Sequence, residues 1–208
     1  MKTQKKIQVQ AKRAFTLIEM IGVLAVIAIL AALLIPKIFE AINNARVNNA
    51  AVSYNTIKTA LADHYAKFGS LISSNGITFA PSVGVATNFD HVLLTEGFLD
   101  KTFLVKIGDG TGNRVEVNTP LGTTAAATAA NSAYDLAGSG SGTNDAAGGA
   151  VVEAIITGVT ELDAKALNDR LDGPTLGSGI GADDIKGRVK YNTSTGNGTI
   201  VRIYVTHR

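Results

Sequence analysis

The stretch KRAFTLIEMIGVLAVIAILAALLIPK, Lys12–Lys37, decides how the 208-residue chain is organised. Between Phe15 and Ile35 the only polar or charged side chains are those of Thr16 and Glu19. At about 1.5 Å per residue, a helix of this length spans roughly 30 Å, the thickness of a bilayer core. The stretch therefore predicts a helix that can cross a membrane and that carries one carboxylate close to its start.

The charges of the chain are unevenly distributed around this stretch. Five of the 19 basic residues lie in residues 1–14, where there is no acidic residue. The rest of the chain has 14 basic and 17 acidic residues. Because basic flanks stay on the cytoplasmic side, we expect a cytoplasmic leader and a translocated C-terminal part. There is no cysteine, which excludes disulfides, thiolate metal sites and a cysteine nucleophile.

Two general interpretations of the N-terminal stretch are open. A secretory signal peptide would explain the basic start and the small residues Ala31 and Ala32, but its apolar region is usually only 7–15 residues long. A signal anchor would explain the length. In that case Thr16 and Glu19 fit a capping box, in which the two side chains bind the first free N–H groups of a helix.

A third interpretation comes from a family resemblance. The basic leader, the run Phe-Thr-Leu-Ile-Glu at Phe15–Glu19 and the apolar helix with Pro36 near its end resemble the N-terminus of type IV pilins and type II secretion pseudopilins. The resemblance covers about residues 12–65. It implies that a prepilin peptidase cuts between Ala14 and Phe15 and methylates the new amine of Phe15. The family usually has Gly before the cut, so Ala14 predicts slower processing.

The resemblance also implies a role for the buried charge. A lone carboxylate in lipid is unfavourable by a few kcal/mol unless it is paired. Glu19 would pair with the Phe15 amine of a neighbouring subunit when copies pack into a filament, and Pro36 would loosen the helix. The implied partners are further copies, the peptidase, a platform protein with its assembly ATPase, and membrane lipid. The head would be periplasmic, ending in a surface pilus or a periplasmic pseudopilus.

The predicted helix continues beyond the apolar stretch. Large and small apolar side chains recur at helical spacing along one stripe: Val47, Ala51, Tyr54, Ile57, Leu61, Tyr65 and Phe68. Gly69 follows directly and is a typical helix stop. We therefore expect a membrane half at residues 15–36, an amphipathic half at 37–68, and a head domain at 69–208.

The head domain is predicted to be α+β, with a small antiparallel sheet against the long helix. Alternation and turn residues predict strands at Phe103–Ile107, Arg114–Val117, Val151–Thr157, Gly187–Asn192 and Thr199–Thr206. Two short helices are expected, one capped by Asn88 and one capped by Thr160. Residues 119–150 are rich in Ala, Gly, Ser and Thr, have little to bury, and are predicted to form a flexible loop.

Few residues beyond the N-terminal stretch suggest chemistry of their own. His64, His91 and His207 have no ligand spacing, and the Asp109 loop is expected to be a hairpin turn. Asp183 and Asp184 are weak candidates for a calcium site, since some pseudopilins hold calcium in a C-terminal loop.

These observations predict a structural subunit without catalysis or cofactor. Two alternatives stay open. A basic C-terminal hairpin with Arg188, Lys190 and Arg202 could bind DNA, as in a DNA-uptake pilin. The chain could also be a signal-anchored periplasmic enzyme or binding domain.

Overall fold

A computed structural model of the protein describes residues 15–71, 88–118, 121–140, 144–193 and 198–208. The chain divides into two compact units, Met1–Ile42 and Asn43–Arg208. In chain order the elements are α1 Leu17–Phe68, α2 Phe89–Thr95, β1 Arg114–Asn118, β2 Val151–Val159, α3 Glu161–Leu171, β3 Val189–Tyr191 and β4 Thr199–His207. The predicted α+β class, with a long N-terminal helix and a small antiparallel sheet, is confirmed.

Helix α1 runs without interruption through Pro36 and ends at Phe68. Gly69 adopts a left-handed backbone conformation (φ 70°), and its N–H donates to the carbonyl of Tyr65 at 2.7 Å. This is the predicted helix stop. Within the second unit, the predicted apolar stripe is buried from Val47 to Leu61.

The sheet of the second unit has the strand order β1-β2-β4-β3, and every neighbouring pair is antiparallel. Its alternating side chains divide between two faces. The first face packs on the stripe of α1 through nine side chains: Val115, Val117, Val152, Ala154, Ile156, Val189, Tyr191, Val201 and Ile203. The Tyr54 hydroxyl donates to the Tyr204 carbonyl at 2.9 Å, which fixes α1 to β4. We call the opposite side of the sheet the second face.

The two short helices begin differently. Thr160 caps α3 as predicted, because its Oγ1 accepts from the N–H of Asp163 at 3.2 Å. Asn88 precedes α2 but makes no side-chain cap; its backbone is left-handed (φ 68°). The helix was therefore predicted correctly, whereas its capping interaction was wrong.

The strand predicted at Phe103–Ile107 is also wrong. These residues form an irregular segment whose Phe103, Val105 and Ile107 side chains are buried in the main core. The alternation that suggested a strand comes from this burial. Their backbone is not part of the sheet, since the N–H of Phe103 donates to the Asp90 carboxylate at 3.0 Å.

The Ala/Gly/Ser/Thr-rich segment buries more than its composition predicts. In its described part, 121–140 and 144–150, Ala133, Tyr134 and Ala146 are completely buried. Tyr134 and Ala146 pack with Val151 of β2 on the second face of the sheet. The segment thus covers the second face of the sheet; its predicted flexibility stays a prediction.

Candidate assembly site

The start of α1 has the geometry of a capping box. The backbone N–H and the Oγ1 of Thr16 both donate to Glu19 Oε2 at 2.8 Å, and the N–H of Glu19 donates to Thr16 Oγ1 at 3.3 Å. A carboxylate in the first turn also interacts favourably with the helix dipole. The helix start is therefore stabilised within one chain.

This arrangement leaves part of the carboxylate available. Both hydrogen bonds from Thr16 go to Oε2, and Glu19 Oε1 has no hydrogen bond within the described residues. Phe15, two residues before the first residue of α1, is exposed over 78% of its surface. Ala14, the other residue of the predicted cleavage site, lies outside the described residues. Glu19 can therefore accept from a donor outside its own chain without giving up the capping box.

The first unit presents an apolar surface with no cover of its own. Its large apolar side chains from Phe15 to Ile42 are exposed, among them Leu17, Ile18, Leu24, Leu33 and Phe39. Among the described helices, α1 is the one that is long and apolar enough to cross a membrane, although a signal sequence would meet the same criteria. Such a surface needs lipid or other helices.

In the head, the predicted calcium candidates are occupied by structural hydrogen bonds. Asp183 Oδ1 accepts from the N–H of Thr193 at 2.7 Å. Asp184 is buried; its carboxylate accepts from the Nδ2 of Asn168 and from two backbone N–H groups, and burial raises its pKa. No group of three or more potential metal-ligating side chains occurs in the described part of the chain.

The three cations named for the basic C-terminal hairpin all make contacts within the chain. Arg188 Nε contacts Asp172 Oδ1 at 2.9 Å, and Arg202 contacts Glu153 Oε2 at 2.8 Å. Lys190 is completely buried. These contacts within the chain give the DNA-uptake alternative no support, and it stays a prediction.

Sequence reasoning missed a charged network on the second face. Lys190 Nζ donates to three backbone carbonyls of the Ala/Gly/Ser/Thr-rich segment, those of Thr128 at 3.0 Å and of Asn131 and Ala133 at 2.7 Å. Burial lowers its pKa to about 8. The one sequence feature that pointed to this network was the alternation of Lys190 with Val189 and Tyr191. It places Lys190 on the face of the sheet opposite the core.

A buried carboxylate completes the network. Glu153 Oε2 accepts from Asn118 Nδ2 and from Arg202, each at 2.8 Å, and burial raises the pKa of Glu153.

A second missed pair joins α1 to the end of α2, where His64 Nδ1 lies 2.6 Å from Glu96 Oε2. The histidine ring is packed among Phe68, Phe89 and Phe98. Both arrangements hold the fold together and offer no open site.

Comparison with known proteins supports the assignment of the N-terminal segment. A family model described as the prokaryotic N-terminal methylation motif matches residues 10–35, which include Phe15, Glu19 and the part of α1 up to Ile35. A comparison with solved structures found no match. The exposed apolar helix and the acidic residue near its start lie within the matched segment, and the chain therefore carries the prepilin-type methylation motif of type IV pilins and pseudopilins.

Proposed function

We propose that this chain is the precursor of a structural subunit that polymerises through its N-terminal helix into a type IV pilus or a pseudopilus. The observation that carries the proposal is the coincidence of the methylation motif at residues 10–35 with an exposed apolar stretch of α1 in which Glu19 is the single carboxylate. The motif is that of structural pilin-type proteins, which are not enzymes.

Processing is the first step of the proposed route. A prepilin peptidase would cut between Ala14 and Phe15 and add one methyl group to the new amine. Cleavage leaves a cationic amine on Phe15, two residues before the first residue of α1, and the side chain of Phe15 is exposed. The head would lie in the periplasm, and the apolar half of α1 would remain in the inner membrane until assembly.

Assembly is the step in which Glu19 acts. Its Oε1 is free within the described residues, and the methylated amine of Phe15 on a neighbouring copy would supply a charged donor. Pairing removes the unfavourable free energy of an unpaired carboxylate in lipid, and it fixes the axial register of neighbouring helices. Pro36 would loosen α1 when these helices pack. A platform protein and its ATPase would lift each subunit from the bilayer.

The processing step is tested by the intact mass and N-terminal residue of the protein recovered from membranes. We expect a chain that begins at Phe15 and carries one additional methyl group. A chain that begins at Met1 would contradict processing. A start beyond Ala31 would show an ordinary signal peptide and would contradict polymerisation through the helix.

The assembly step is tested by Glu19→Gln, with Glu40→Gln as the matched control. Glu40 lies on the same helix and forms an exposed pair with Lys37 at 2.9 Å. We expect both variants to be processed, and only Glu19→Gln to lose filaments seen by electron microscopy. Normal filaments from Glu19→Gln would contradict the proposed charge pairing.

A further inference from the structure

The closed network on the second face of the sheet is bordered by a cavity of about 290 Å³. Three parts of the chain line this cavity: the Ala/Gly/Ser/Thr-rich segment, the loop before β3, and the hairpin between β3 and β4. Their contributions include Thr128, Ala129, Asp183, Asn192, Ile200 and Arg202. The volume is near the lower limit of small-molecule sites, about 300 Å³, so a fitting ligand is small. We call this space the polar cavity.

The wall that the Ala/Gly/Ser/Thr-rich segment forms is fixed by hydrogen bonds. The N–H of Thr128 donates to Asn131 Oδ1 at 3.0 Å, and the N–H of Asn131 donates to Thr128 Oγ1 at 3.2 Å. The Thr128 carbonyl accepts from Lys190 Nζ at 3.0 Å. Because this wall is already ordered in the free chain, less conformational freedom is lost when a ligand binds.

The polar cavity contains a guanidinium group with donors that the fold does not use. Arg202 Nη1 contacts Glu153 Oε2 at 2.8 Å, and this ion pair holds a side chain that is 17% exposed. The Nε and Nη2 of Arg202 have no hydrogen bond within the described residues. A guanidinium carries five N–H donors in one plane. Arg202 can therefore donate to a ligand and keep its contact with Glu153.

Two further polar side chains in the cavity have unused hydrogen-bonding capacity. Asp183 Oδ1 accepts from the N–H of Thr193 at 2.7 Å, whereas Asp183 Oδ2 has no hydrogen bond in the described part of the chain. The Asn192 carbonyl accepts from Thr199 Oγ1 at 2.9 Å, but the side-chain amide of Asn192 has no partner among the described residues. A carboxylate accepts, and an amide both donates and accepts. Together with Arg202, these groups offer donors and acceptors to one ligand.

The charges at the polar cavity are balanced. Arg202 and Asp183, which both line it, have opposite signs, and the network behind them adds Lys190 and Glu153, again one of each sign. No excess charge therefore selects an anion or a cation. Among the described residues that line the cavity there is no aromatic ring on which a nucleobase could stack. These features favour a neutral ligand that carries several hydroxyl groups.

We infer that the polar cavity binds one ring of a neutral saccharide. Sugar hydroxyls donate and accept, and Arg202, Asp183 and Asn192 supply both kinds of partner. The C–H face of the ring packs on Ile200, which is 43% exposed, and on Ala129. A purely apolar ligand would leave the polar groups without partners, which is unfavourable. The inference goes beyond the proposed function, since it gives the head a ligand and does not require polymerisation.

Saturation-transfer difference NMR tests the inference on the full-length chain in micelles of perdeuterated dodecylphosphocholine, a detergent without sugar. The probes are glucose, galactose, mannose and N-acetylglucosamine, with glucuronate as the charged counterpart of glucose. We expect transfer to at least one neutral sugar and weaker transfer to glucuronate, because Asp183 and Glu153 repel its carboxylate. Absence of transfer to all four neutral sugars, or stronger transfer to glucuronate than to any of them, would overturn the inference.

The site is located by Asn192→Ala, with Asn55→Ala as the matched control. Asn55 is exposed on α1 and does not line the polar cavity, and neither side-chain amide has a hydrogen bond within the described residues. The sugar concentration that gives half-maximal transfer should rise about three- to tenfold in Asn192→Ala and stay unchanged in Asn55→Ala. Equal concentrations for the two variants would place the sugar outside the polar cavity and overturn the assignment.

Discussion

The Nζ of Lys190 lies 3.9 Å from the ring centre of Tyr134. Both residues are completely buried, and the same Nζ donates to the carbonyls of Thr128, Asn131 and Ala133. A single ammonium group on β3 thus binds a segment that lies about 60 residues earlier in the chain, as the separations of 57 to 62 residues show. Lys190 fastens the Ala/Gly/Ser/Thr-rich segment to the second face of the sheet.

Replacement of this ammonium should loosen the segment. In Lys190→Met the apolar stem is retained, but three carbonyls lose their donor, and a buried acceptor without a partner costs about 1–3 kcal/mol. We expect the free energy of unfolding to fall by about 2–3 kcal/mol. All five tyrosines lie in the second unit and there is no tryptophan, so tyrosine fluorescence during urea unfolding of the full chain in micelles reports this unit.

Lys101→Met is the matched control, because Lys101 is exposed and has no ion pair in the described residues. Its free energy of unfolding should stay within about 0.5 kcal/mol of the unsubstituted value. Hydrogen exchange adds a local readout. Amides of residues 126–140 should exchange faster in Lys190→Met alone, and unchanged exchange there would contradict the fastening role.

The lowered pKa of Lys190 also predicts a pH dependence. The group titrates at about 8 in the folded chain, against 10.5 for an ordinary lysine, because burial disfavours its charged form. Between these pH values the unfolded chain binds more protons, so stability rises with pH. Glu153 opposes the shift and Arg202 adds to it.

The matching measurement compares the unsubstituted chain with Lys190→Met, since other groups that titrate in this range contribute to both. From pH 8 to pH 10 the difference in their free energies of unfolding should increase by roughly 2 kcal/mol in favour of the unsubstituted chain. Urea midpoints from circular dichroism at several pH values measure it. A difference that stays flat or decreases would show that the ammonium is not disfavoured by burial.

The sequence contains enough information to predict the methylation-motif segment and the main helices. Apolar runs, the spacing of Thr16 from Glu19 and the glycine at position 69 are local signals, and local signals determine helix starts and stops. The cap of α3 by Thr160 belongs to the same class. These elements could be predicted from the sequence because their stabilising contacts lie within a few residues of one another.

The second face of the sheet could not be predicted in this way. Its polar side chains, such as Lys190 and Glu153, alternate with core residues and therefore resemble a solvated face. Their cover comes from a segment of small residues in which Tyr134 is the main residue to bury. The pair of His64 and Glu96 likewise depends on α2 folding back on α1, which no local pattern indicates.

The end of α1 provides a test of backbone strain. Gly69 has a φ of 70°, and a Cβ built on it would meet no atom within 4 Å, so Gly69→Ala changes the backbone energy without a clash. An L-residue in this conformation costs about 1–2 kcal/mol. We expect Gly69→Ala to lower the free energy of unfolding by that amount, measured from the urea midpoint and slope.

Gly179→Ala is the control for this prediction. Its Cβ would also meet nothing within 4 Å, but its φ lies outside the left-handed region. An alanine there reduces the freedom of the unfolded chain and should leave stability unchanged or raise it slightly. Equal losses in both variants would show that the left-handed conformation of Gly69 is not the cause.

The outer edge of β3 is hydrogen-bonded to one carboxylate. Asp172, just after α3, accepts from the N–H groups of Arg188 at 2.7 Å and Val189 at 2.8 Å, and its other oxygen accepts from Arg188 Nε. Unpaired N–H groups at a sheet edge invite pairing with another chain. Asp172 therefore both anchors β3 and blocks its edge.

Asp172→Asn should weaken this edge, because the amide keeps one oxygen and loses the charge that strengthens all three hydrogen bonds. We expect a loss of about 2–3 kcal/mol and faster exchange of the Arg188 and Val189 amides. Asp169→Asn on α3 removes only an ion pair with Lys165, whose side chains are 29% and 33% exposed, and should cost less than about 0.5 kcal/mol. If the two variants unfold at the same urea concentration, the carboxylate of Asp172 does not hold the edge of β3, and the backbone pairing of β3 with β4 is sufficient by itself.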